Sequence, residues 1–332
     1  EIYRLWYTDA EDLRAEFKKK LPPAKQQLRY KSLFEGNFSA PDAPERISGP
    51  DDLDGVNRLF YSRGWTDGLP IIPPTPARYE KMLSGTELGK NQLLSLIEPR
   101  QGRATVGKVA INGIIAGCQP KHLPVLVAAA RALGHPALNL KALNTTTHPC
   151  TVLAIISGPI VEEIDINSTY NALGQGALAN AAIGRALRSI LLNIGGGTPG
   201  ILDRATMGTP AKFSFCFGER DSESPWRETL AMERGFGRNQ NTVTLCGVEG
   251  PHNVNDHYGR TAEEILLTVG GTMAQPGLNN SYLGGEILVV LGPEHAEIIS
   301  KDGFSKSDIR NFLMEHARIP AHAYSDPQQK IM

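Results

Sequence analysis

Cysteine is scarce in this chain. Four thiols (Cys118, Cys150, Cys216 and Cys246) in 332 residues exclude a disulfide framework and make a reducing, cytoplasmic home the expectation. An excess of either charge is missing too. Lys and Arg number 34 against 35 Asp and Glu, so no global field points to nucleic acid or to an anionic membrane surface. Long apolar runs are absent: the most hydrophobic helical stretch, Leu178 to Ile194, carries Arg185 and Arg188 within it and cannot be a membrane span. No cationic-then-apolar leader opens the sequence, so no secretory signal is expected.

What is present is a recurring pattern. An apolar strand-like segment runs into a glycine three times, at Thr151–Gly158, Ala211–Gly218 and Glu286–Gly292. Five residues after each glycine stands an acid: Glu163, Glu223 and Glu297. Each segment follows a helix-like stretch that itself follows a polar loop. The spacing predicts three loop–helix–strand units in pseudo-repeat, their loops able to gather at one point. Helix alternating with strand predicts an α/β or layered α+β fold.

Residues 1–50 read as an N-terminal helical arm, with an amphipathic helix over Asp9–Leu21. Such an arm wraps a second copy of the chain or packs on its own domain, and both remain open. Residues 51–103 form a helical and extended connection: a helix over Asp51–Trp65 closing at Gly64, an extended run from Thr66 to Pro74, then Thr75 and Pro76 as cap and first turn of a helix reaching about Leu83. Residues 104–332 are the repeated α/β core. Its first unit is strand Thr105–Ile111, loop Asn112–Gln119 and helix Pro120–Leu133. Helices are also expected over Ala177–Ile194, Thr261–Ala274 and Ser305–Arg318, with a strand at Thr242–Cys246; Thr261 with Glu264 makes a capping box.

The loops ahead of the helices carry the candidate chemistry. Cys118, in Gly117-Cys118-Gln119-Pro120, stands before a helix whose amide dipoles would favour a thiolate; a small buried residue at a helix entry is the alternative. His148, held out of regular helix by Pro149, could serve as base to that nucleophile or be a surface histidine. The segment Cys246–His257 concentrates two carboxylates, two imidazoles and two carboxamides. There, His252 and His257 with Glu249 or Asp256 would ligate a divalent metal. Alternatively one histidine moves protons, oriented by Asp256, with Asn253 contacting substrate. Asn167, Tyr170, Asn171 and Gln175 lie in a loop of neutral donors and acceptors suited to orienting a substrate; that loop has neither GxGxxG spacing nor the lysine of a phosphate loop. Asp67, in an Asp-Gly pair, lines a pocket or makes a turn. Arg204 and Lys212, flanking Asp203, neutralise an anionic substrate or form a salt bridge. Cys216, alternating with phenylalanines, reads as a buried strand residue.

Trp65-Thr66-Asp67-Gly68-Leu69-Pro70, Ala116-Gly117-Cys118-Gln119-Pro120 and Glu249-Gly250-Pro251-His252-Asn253-Val254-Asn255-Asp256-His257 resemble segments of a bacterial family whose members accompany, or are fused to, small cysteine or selenocysteine proteins named for a UGSC motif. The likeness spans most of residues 50–320. With no Gly-Ser-Cys segment, the chain would be the companion part, and a start at Glu1 would suit a fragment of such a fusion. The resemblance implies a thiol-linked or redox-linked small-molecule context. Three functions thus stand as expectations: an enzyme using Cys118 as thiolate with loop histidines on a small-molecule substrate; a metal-dependent hydrolase or lyase; or a non-catalytic subunit for a small cysteine or selenocysteine partner.

Overall fold

The computed structural model describes residues 43–325 together with the short strand β1 (Ile2–Tyr3), which pairs antiparallel with β2 (Arg46–Ile47). The expected arm helix over Asp9–Leu21 lies outside the described residues. Helices and small sheets are mixed, an α/β or α+β architecture. The chain divides into two compact units. One comprises the described residues through Glu219 with Asn239–Gly250; the other is Arg220–Arg238 with the residues from Pro251 onward. This division falls inside the stretch read as one core over 104–332.

The first unit opens on helix α1 (Leu53–Arg63). The Asp52 side chain accepts from the Gly55 amide at 2.7 Å, and the helix stops at Gly64, whose φ of 68° suits glycine. Trp65 then packs edge-on to Phe60, ring centroids 5.5 Å apart. The prolines after it keep the chain extended until Thr75 caps α2 (Pro76–Leu83). A hairpin follows, β3 (Leu93–Ile97) against β4 (Gly102–Thr105).

Thr105–Ile111 is not a strand. Only Thr105 belongs to one, and its hydroxyl accepts from the Lys108 amide to start helix α3 (Val106–Ala116). Every residue of α3 is buried, so no wet face marked the helical period, and its Val and Ile mimic a buried strand. Helix α4 (Leu123–Leu133) and helix α5 (Leu178–Asn193) pack with α3 around a shared core that includes Leu126, Ile183 and Ile190. Each such side chain contributes on the order of 1.5–3 kcal/mol by leaving water.

The sheet has three strands in the order β6 (Cys216–Gly218), β5 (Thr151–Ser157) and β7 (Thr242–Val248). Central β5 is wholly buried, parallel to β6 and antiparallel to β7. The second expected segment is therefore shorter than Ala211–Gly218, since Pro210–Lys212 form a 3-10 turn. The third, Glu286–Gly292, forms no strand.

The second unit packs α6 (Ala262–Met273) with α7 (Pro293–Lys301) and α8 (Lys306–His316) around Leu266, Ile299 and Leu313. Capping boxes open two of these helices, Thr261 with Glu264 and Ser305 with Asp308. No helix of the described residues is long and apolar enough to cross a membrane.

Candidate functional site

The register of the sheet brings together two residues that the sequence separates by a hundred positions. Thr151 at the start of β5 stands opposite Val248 at the end of β7. His148, just ahead of β5, and Glu249, just after β7, therefore emerge at the same sheet end. His148 Nε2 lies 2.5 Å from Glu249 Oε1, with both side chains partly open to solvent. Such a charge-assisted contact fixes the imidazole plane and directs its remaining nitrogen, Nδ1, away from the carboxylate.

The same corner holds a thiol and a cluster of charges. Cys150 is partly buried, its Sγ 3.9 Å from the Leu143 carbonyl oxygen. Burial raises its pKa; Lys212 opposes that shift, while Asp203 and Glu249 add to it. Asp203 is buried and accepts from Arg188 Nη2 at 2.7 Å and from Lys212 Nζ at 2.8 Å. Burial alone would raise the Asp203 pKa, but the Lys212 and Arg188 contacts outweigh it and hold it below the usual carboxylate range. The Thr206 amide donates to the Thr147 carbonyl at 2.9 Å, tying the Asp203 loop to the segment that carries His148.

Several expected site residues do other work. Cys118 is buried in the core of the first unit, and burial, with Cys216 adding, drives its thiol pKa well above the ordinary value. The expectation of a helix-activated thiolate there gives way: the Cys118 amide completes the end of α3 by donating to Gly113 at 2.8 Å, and the side chain points into apolar surroundings. His148 is bonded to Glu249 and not to that sulfur. Asp67 is nearly fully buried against Arg185, accepting from Nε at 2.7 Å and from Nη2 at 2.9 Å. Both of its oxygens are engaged, so it acts as a brace for the Thr66–Pro74 run.

Asn167 binds Tyr170, Thr169 and Asn180, and Asn171 donates to the Gln175 carbonyl at 2.7 Å. Their amides build the loop, leaving Tyr170 and Gln175 exposed on it. Arg204 is exposed and donates to Gly200; Arg188 joins Lys212 on Asp203 in its place. In the second unit, His252, Asn253 and His257 are exposed. Asp256 Oδ1 accepts from the Gly259 and Tyr258 amides at 2.8 and 2.9 Å, bonds that hold its pKa down and build a turn. Within either unit, no group of three or more His, Cys, Asp or Glu among the described residues is placed to hold a metal ion.

The acids that follow the three glycines have local surroundings only. Glu163 is exposed, Glu223 pairs with Arg220 at 3.4 Å, and Glu297 pairs with Lys301 at 2.6 Å. The pairing of His148 with Glu249 escaped sequence reasoning because it needs β5 and β7 to be recognised as antiparallel neighbours. The one sequence signal was the position of each residue at an end of a strand-like segment. No family model, no curated protein and no solved structure matches the chain.

Proposed function

We propose that the protein is an enzyme acting on a small polar molecule at the corner formed by His148, Cys150 and Glu249. In this reading His148 moves the proton and Glu249 orients the ring and stabilises the imidazolium. Cys150 supplies the thiol of the thiol-linked chemistry expected from the sequence. The observation that carries the reading is the 2.5 Å His148–Glu249 contact at a partly open sheet end. Cys150 stands within electrostatic reach of Glu249 and Lys212 in this corner. Its raised pKa keeps the resting thiol protonated near neutral pH, so it becomes a nucleophile only when a neighbouring base accepts its proton.

The test is turnover. The protein is incubated with mixtures of small polar metabolites and their loss is followed by mass spectrometry. Wild type consumes a component, His148→Asn slows that loss by about 10²–10⁴-fold, and Glu249→Gln slows it less. Wild-type rates in folded His148→Asn would remove the reading.

A further inference from the structure

A second histidine, buried and untouched by the reading above, closes the corner that follows α3. Helix α3 ends at Gly117, whose φ of 93° turns the chain. The Cys118 amide donates back to Gly113, and the next amide, that of Gln119, donates to His122 Nδ1 at 3.1 Å. The His122 amide in turn donates to the Gln119 carbonyl at 2.9 Å. Residues 119 and 122 thus clasp each other directly beside Cys118. His122 is 1% exposed and Cys118 9% exposed.

We propose that His122 is an acid-sensitive latch on the Gly117–Pro120 corner, whose protonation opens the corner and admits solvent to the Cys118 thiol. The clasp requires a lone pair on Nδ1, so the closed ring is neutral with its proton on Nε2. An imidazolium donates from both nitrogens. Its Nδ1–H would face the Gln119 N–H, leaving one buried donor without an acceptor and placing a charge on a ring that is almost wholly buried. Lys121 on the same turn and Asp165 across from it, themselves an ion pair, are the charged groups acting on the ring. Burial lowers the His122 pKa, Lys121 lowers it further, and Asp165 opposes both.

A group with a depressed closed-state pKa favours the closed form above its ordinary pKa and loses that preference as pH falls. Between about pH 6.5, the ordinary histidine value, and the lower closed-state value, the open fraction therefore grows by up to about tenfold per pH unit.

Labelling with 4,4′-dithiodipyridine, which reacts with thiols in acid, tests the latch. Rates at each cysteine are read by mass spectrometry and divided by those of the same thiol in urea-unfolded chain. From about pH 7.5 to about pH 5 the relative rate at Cys118 rises severalfold, while that of buried Cys216 does not change. His122→Asn, which keeps an acceptor near the Nδ1 position without titrating in this range, holds Cys118 at its neutral-pH rate. A flat Cys118 profile, a joint rise of Cys118 and Cys216, or the same rise in His122→Asn would each overturn the proposal. Should the variant fail to fold, the ratio of Cys118 to Cys216 labelling in wild type decides alone.

Discussion

Asp67 and Arg185 lie far apart in the chain and meet through two charge-assisted hydrogen bonds, with side-chain exposures of 6% and 16%. Arg185 also donates to the Leu69 and Pro70 carbonyls, so one guanidinium pins the whole proline-rich run. Removing one partner of a buried pair strands the other charge, so Asp67→Ala is expected to destabilise the first unit by about 3–5 kcal/mol. Replacing both partners with apolar residues of similar volume, Asp67→Leu with Arg185→Met, is expected to recover most of that loss. Denaturant unfolding of the two single variants and the double variant measures the coupling. A loss below about 1 kcal/mol in Asp67→Ala would show that solvent already screens the contact. The Asp-Gly pair was legible as a turn from sequence; its partner was not, because nothing local distinguishes an arginine that will be buried from one facing water.

Helix α5 organises its unit through two arginines three positions apart. Arg185 takes Asp67, and Arg188 takes Asp203 alongside Lys212. In both aspartates burial pushes the pKa up, and the cations outweigh it to leave the pKa depressed. A carboxyl with a depressed folded-state pKa contributes stability in full above its unfolded value, about 3.9, and loses it as pH falls through the folded value. The first unit is therefore expected to hold steady from neutral pH down to about pH 4 as far as these two groups are concerned, and to lose stability below it. Urea midpoints between about pH 5 and pH 2.5 check this, and the drop shrinks in the Asp67→Leu, Arg185→Met variant. Elements with local punctuation were legible: Thr75 with Pro76 and Thr261 with Glu264 each cap the helix their residues announce. Helix α3 was misread as a strand because a segment buried all round shows no amphipathic period. Glu286–Gly292 was misread because an apolar run becomes a strand only where a partner pairs with it.

For the molecule as a whole, the mixture of helices and small sheets was readable from composition and spacing, while the division into two units and the order β6-β5-β7 were not. Those depend on which distant segments pair. The same limit governs the site. His148 was recognised as held out of helix by Pro149, but its carboxylate is supplied by Glu249 across the β5–β7 ladder. Cys118 lies in the core and Cys150 at the sheet end, and the proposed function accordingly uses Cys150. Alkylation with iodoacetamide near pH 8.5, quantified at each cysteine by mass spectrometry, addresses this choice most directly. Cys150 is expected to be modified at least about tenfold faster than Cys118 or Cys216, whose burial suppresses both thiolate and access. Modification of Cys118 at or ahead of the rate of Cys150 in the folded protein would contradict the account.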